Sequence, residues 1–136
     1  MNYLYRGDVI PIHMDGTHEW TIGRNGLLAM TAGLMSEVRC QPLFRNLLSR
    51  ENVFVYRVWG TGIVFVPSFG SFQYHRLKPN ETWIVNNFSL VAWNCPYSIE
   101  TVDKCALCHF KGPGIVITQL RNLHTICKLM FISDDF

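Results

Sequence analysis

Charge is scarce in this 136-residue chain: only 16% of residues are charged, twelve basic against ten acidic, while 49% are hydrophobic. A composition this apolar excludes a disordered chain, and a net charge of +2 with scattered basic residues leaves no basic stripe to hold a nucleic acid. Arg45, Arg50 and Arg57 come nearest to a basic cluster and read as a solvated face. Long apolar runs are missing as well. The stretch from Gly60 to Phe72 is broken by Gly62, Pro67, Ser68 and Gly70, well short of the roughly 18 to 20 residues a transmembrane helix needs. Residues 1–8 hold one arginine and lead straight into strand-like sequence, so no secretory or transit peptide is visible.

A paired set of cysteines is also lacking. Cys40, Cys95, Cys105, Cys108 and Cys127 are odd in number, and a chain of this length builds its own core, so no disulfide framework is required and a reducing compartment is the simpler expectation. Catalytic signatures are absent in turn. Ser68, Ser71 and Ser89 sit in no nucleophile elbow, and Gly23-Arg24-Asn25-Gly26 and Gly60-Thr61-Gly62 lack the rest of any phosphate or dinucleotide motif. The expectation is a non-enzymatic protein with no catalytic residues and no cofactor.

What is present is self-similarity. Sliding the sequence by about 63 positions brings Gly7 onto Gly70, Trp20 onto Trp83, Ile22 onto Val85 and Leu28-Ala29-Met30 onto Val91-Ala92-Trp93. Further on, Gly60-Thr61-Gly62-Ile63-Val64 matches Gly112-Pro113-Gly114-Ile115-Val116 at an offset of about 52. The reading is one domain over residues 1–128, made of copies spanning about 7–69 and 70–122, with 129–136 a frayed tail.

The local patterns are those of strands. Asn52 to Val58, Gly62 to Val66, Trp83 to Val85 and Gly114 to Gln119 are rich in Val, Ile, Phe, Tyr and Thr. Gly60-Thr61-Gly62 and Gly112-Pro113-Gly114 read as hairpin turns, and Asp15-Gly16 and Lys78-Pro79-Asn80-Glu81 as further turns. Only 41–50, with Leu43, Phe44, Leu47 and Leu48 on one stripe, predicts a short helix. So many apolar strands need two sheets to cover them, which predicts an all-β antiparallel sandwich built from a repeated strand module.

One motif suggests chemistry. Cys105-Ala106-Leu107-Cys108-His109 matches the pattern of covalent haem attachment, and the same three ligands with Cys127 or His124 match the composition of a zinc site. A metal- or haem-binding protein using Cys105, Cys108 and His109 is therefore the alternative function. Against it, the motif lies where a strand is predicted, and residues three apart on a strand point to opposite faces. His13, His18 and Glu19 flank a turn with the wrong spacing for a metal and read as a surface hairpin. Among the tryptophans, Trp20 and Trp83 occupy equivalent positions and read as core, whereas Trp59, beside Gly60, is the preferred interface residue.

Gly7-Asp8-Val9-Ile10-Pro11-Ile12, Val53-Phe54-Val55-Tyr56, Leu90-Val91-Ala92-Trp93-Asn94-Cys95 and Gly112-Pro113-Gly114-Ile115-Val116, in this order, resemble the altered-inheritance-of-mitochondria family, its fungal branch in particular. The resemblance implies a β-sandwich similar to the tryptophan RNA-binding attenuation protein, and a peripheral role at the mitochondrial inner membrane in organising cristae. It implies no enzymatic activity, and RNA or tryptophan binding does not carry over from a likeness of fold; an RNA-binding sandwich is a third reading by fold analogy alone. The expected partners are proteins, by self-association or within a membrane-organising complex. The resemblance also implies a strand module ahead of Gly7 that this chain does not show. Ser49-Arg50-Glu51-Asn52 and Phe88-Ser89 stand where the family pattern has a glycine-rich turn and Gly-His.

Overall fold

A computed structural model describes residues 7–23, 26–41, 53–102 and 105–120. They form eleven strands: β1 (Gly7–Asp15), β2 (Trp20–Ile22), β3 (Ala29–Met30), β4 (Leu34–Gln41), β5 (Val53–Phe69), β6 (Phe72–Leu77), β7 (Thr82–Asn86), β8 (Leu90–Trp93), β9 (Tyr97–Val102), β10 (Cys105–Lys111) and β11 (Gly114–Gln119). A 3-10 turn over Asn87–Ser89 is capped by the Asn86 side chain, which accepts from the Phe88 N–H. The fold is all-β, its antiparallel sheets curled into a half-barrel. The helix expected at 41–50 falls outside the described residues apart from Gln41, which ends β4.

The larger sheet runs β1-β5-β2-β8-β11-β6, with β3 and β4 also on β5; β7-β10-β9 form the smaller one. At 17 residues, β5 is the longest strand. Its first half lies between β2 and β4, its second half between β1 and β3. Here the structure departs from the sequence reading, because Gly60-Thr61-Gly62 is no turn and the chain runs through it as strand. Gly60 has φ +112°, and a Cβ there would sit 2.5 Å from the Gly33 carbonyl oxygen, so glycine lets two backbones close up while the ladder continues. At Gly112-Pro113 the chain does break, though not into a hairpin. β10 and β11 do not pair; β10 joins β7 and β9, and β11 joins β6 and β8.

Alternation sets the inner face. Ile10, Ile12 and Met14 of β1 and Val58, Val64 and Val66 of β5 are buried, and with Trp20, Ile22, Leu34, Val91, Ala92 and Ile117 they fill the curl of the larger sheet. Each Val or Ile fully buried in this way contributes about 1.5–3 kcal/mol. A second core lies between the two sheets. There Trp93 meets Tyr97 at 5.0 Å and Phe110 at 5.6 Å, both edge to face, with Val85, Leu90, Cys108 and Val116 around them.

Candidate interaction surface

The residues of β5 that point away from the first core are Trp59, Thr61, Ile63 and Phe65, since the even positions from Val58 to Val66 face inward. Trp59, Ile63 and Phe65 are half-buried. Their partners across the ladder extend the apolar strip sideways: Met35 lies opposite Trp59, and Pro11 and Ala29 both lie opposite Phe65. Met35 is 61% exposed, and Val9, one step along β1, 54%. Sequence reasoning picked out Trp59 and missed the rest. The signal lay in β1, where Val9 and Pro11 alternate with Ile10 and Ile12, and in β5, once it is read through its glycines.

Beside Trp59 the same face carries balanced charge. Arg57 binds Glu19 and also Glu37, at 3.0 Å, while the Arg39 Nε donates to Glu37 at 2.9 Å. Arg39 holds the Glu37 carboxyl below the usual range, and Glu19 raises Arg57. Of the predicted basic cluster, Arg57 is thus committed to carboxylates, while Arg45 and Arg50 lie outside the described residues.

The Cys-x-x-Cys-His segment is strand β10. Cys108 is fully buried in the second core and its thiol donates to the Asn87 Oδ1 at 3.5 Å, whereas His109, on the opposite face, stands 2.7 Å from Glu100. The side chain of Cys105, and Cys127 and His124 altogether, lie outside the described residues. Burial pushes the Cys108 thiol up to about 12, so in this packing it stays protonated. Among the described residues no three His, Cys, Asp or Glu side chains gather as metal ligands. His13 lies exposed on the outer face of β1, and Glu19 is taken by Arg57. Trp20 is buried in the first core and Trp83 packs half-buried against the second, 4.0 Å from the His75 ring. Among the described residues no helix is long and apolar enough to cross a membrane.

Comparison with solved structures finds the crystal structure of a Streptococcus pyogenes protein with a TM-score of 0.77 and 20% identity; the match covers 90% of this chain and 58% of that one. At that identity the likeness is one of fold. No curated protein matches the chain. The family model described as mitochondrial biogenesis AIM24 matches residues 2–121. The match spans nearly the whole chain, including every strand described above, and by it the chain belongs to the mitochondrial biogenesis AIM24 family.

Proposed function

We propose that the protein is a non-enzymatic assembly unit that associates with further copies of itself through the outer strip of β5, and that it serves mitochondrial inner-membrane organisation in that form. The observation carrying this reading is the strip itself: Trp59, Ile63 and Phe65 with Met35, Pro11 and Val9 across the ladder, apolar side chains on an outer sheet face. The charge beside it favours a second copy as the occupant. Glu19 and Glu37 balance Arg39 and Arg57, so this face selects no strongly charged partner, and a two-fold related copy brings acids and bases in equal number. Edge strands support the same reading, because among the described residues β4 and β1 pair only with β5, leaving a side of each from which a sheet extends. The family's description supports the mitochondrial setting. Its resemblance-based role in cristae, peripheral to the membrane, is the setting in which a self-associating sandwich acts as a scaffold.

Sedimentation velocity on the full chain tests this. The wild type is expected to sediment as an oligomer, and Trp59→Glu with Met35→Glu to sediment as a folded monomer with an unchanged far-UV spectrum. A wild-type monomer at every concentration, or an oligomer indifferent to the two substitutions, overturns the reading.

A further inference from the structure

At one end of the larger sheet the loops after β1, β6, β8 and β10 close around a cleft of about 530 Å³. His18, Arg76, Lys78 and Asn94 line it, and Leu77 and Ile115 supply apolar wall. No carboxylate is among its lining residues. Arg76 sits on β6 opposite Ile115, and Lys78 follows directly after that strand. Among the described residues neither side chain has a carboxylate partner, in contrast to Arg57 and Arg39 on the other face.

The nearby hydrogen-bond acceptors each already hold a backbone N–H. The Asn94 Oδ1 accepts the Ile115 N–H at 2.7 Å, which leaves the amide NH₂ as the group this side chain can offer. Glu81, in the neighbouring depression that Arg76 also lines, accepts the Lys78 N–H at 2.8 Å. Asp15, close to His18, accepts both the N–H and the hydroxyl of Thr17. The frame is also set in advance. The Glu81 N–H donates to the Lys78 carbonyl at 3.0 Å, the Gly112 N–H to the Glu81 carbonyl at 2.8 Å, and a Cβ on Gly112 would collide with the Lys78 carbonyl oxygen. The backbone that carries Lys78 is thus fixed before a ligand arrives, which lessens the ordering needed on binding.

We propose that this cleft binds a phosphate ester. The Arg76 guanidinium and the Lys78 ammonium take the phosphate oxygens, the Asn94 amide and the His18 imidazole add further donors, and Leu77 and Ile115 contact the organic stem. Guanidinium matches phosphate with two parallel N–H donors, whereas lysine adds a point charge. The volume exceeds what a bare ion would fill, which argues for an ester over inorganic phosphate. The phosphate belongs either to a free small molecule or to a lipid headgroup; both present the same chemistry to these four side chains.

The test uses the full isotope-labelled chain. Amide resonances of Lys78, Asn94, Gly112 and Gly114 are followed as glycerol 3-phosphate is added, with glycerol as the uncharged control. In parallel, flotation is measured with phosphatidylcholine vesicles with and without phosphatidic acid. Arg76→Gln with Lys78→Gln, both exposed positions, is the variant, and its own amide spectrum reports that it folds. Saturable shifts with glycerol 3-phosphate that weaken about tenfold or more in the variant, the loss expected when charge-assisted hydrogen bonds are removed, support the proposal with a soluble ester as the source. Flotation that requires phosphatidic acid and is lost in the variant supports it with a lipid as the source. Absence of binding in both arms, equal binding by the variant, or equal shifts with glycerol overturn it. The strip of β5 plays no part in this cleft, so a monomeric wild type would sink the assembly reading and leave this one standing.

Discussion

The first half of the chain, β1 to β5, and the second, β6 to β11, make corresponding pairings with different outcomes. Met14 lies opposite Gly62 and Leu77 opposite Gly114; Trp20 opposite Val58 and Trp83 opposite Phe110; Ala29 opposite Phe65 and Ala92 opposite Ile117. Yet β5 runs on as one strand while its partners change from β2 and β4 to β1 and β3, whereas the second half is interrupted into β10 and β11, which belong to different sheets. The residue between the glycines differs. Thr61 donates its N–H to the Gly33 carbonyl at 3.1 Å, and Pro113 has no N–H to donate at the matching place. One missing donor coincides with the point where the strand is interrupted. The cores differ in kind as well. The first is dominated by Ile and Val, and the second is built on Trp93, Phe110 and Tyr97.

The harshest way to break this comparison is to exchange the residues facing the paired tryptophans. Phe110→Val installs in the second core what the first carries at Val58, and removes the ring that touches both Trp93 and Tyr97. It is expected to cost about 2–4 kcal/mol, the transfer term plus a cavity that the larger neighbours cannot fill, read as a lower urea midpoint. A change near zero would mean that the second core collapses around the gap and that its aromatic character is incidental.

Next in size is the glycine that keeps β5 whole. Gly60→Ala places a Cβ 2.5 Å from the Gly33 oxygen at φ +112°, a close approach combined with a backbone that favours glycine. The expected loss is about 2–3 kcal/mol by the same urea measurement. If alanine is tolerated, the closeness of β4 and β5 at this point is not what carries the strand through.

These two sites show what could be read from sequence. The strands of β5, β7 and β11 were legible because Val, Ile, Phe and Thr crowd them, and the all-β class followed from the number of apolar strands needing cover. Residues 60–62 were misread because Gly-Thr-Gly has the composition of a turn. Whether two glycines reverse a chain or let it pass another backbone depends on Gly33 and Thr31, some thirty residues away in the sequence. Trp59 stands out in the sequence as an interface candidate because of its neighbour Gly60, but Met35, Pro11 and Phe65 join it only through register. The cleft left no local signature: His18, Arg76, Lys78 and Asn94 come from three separate segments and meet because strands pair.

The last effect builds up only as pH rises and concerns Cys108, which faces Val85 as Tyr56 faces Ile22 in the first half. Buried beside Asn87, its thiol holds its proton up to about 12 in the folded chain, against an ordinary value of 9.0. Between those values the folded state binds more protons than the unfolded one, so stability is intact below about pH 9 and falls as pH rises toward 12. The slope from this one group reaches about 1.4 kcal/mol per pH unit. Tyr97, also raised to about 12 by burial, adds a fall of the same sign, so the thiol has to be isolated by difference. Urea midpoints for wild type and Cys108→Ala, taken from about pH 8 to about pH 11, are expected to converge with rising pH, because only the wild type loses this contribution. A thiolate stabilised in the folded state, as a zinc ligand would be, has the opposite sign: its contribution rises with pH only up to the ordinary value of 9.0 and is flat above it, so the two curves do not converge. Converging curves therefore place Cys108 with the packing of the second core, and curves that keep a constant gap above about pH 9 would return the Cys-x-x-Cys-His segment to chemistry.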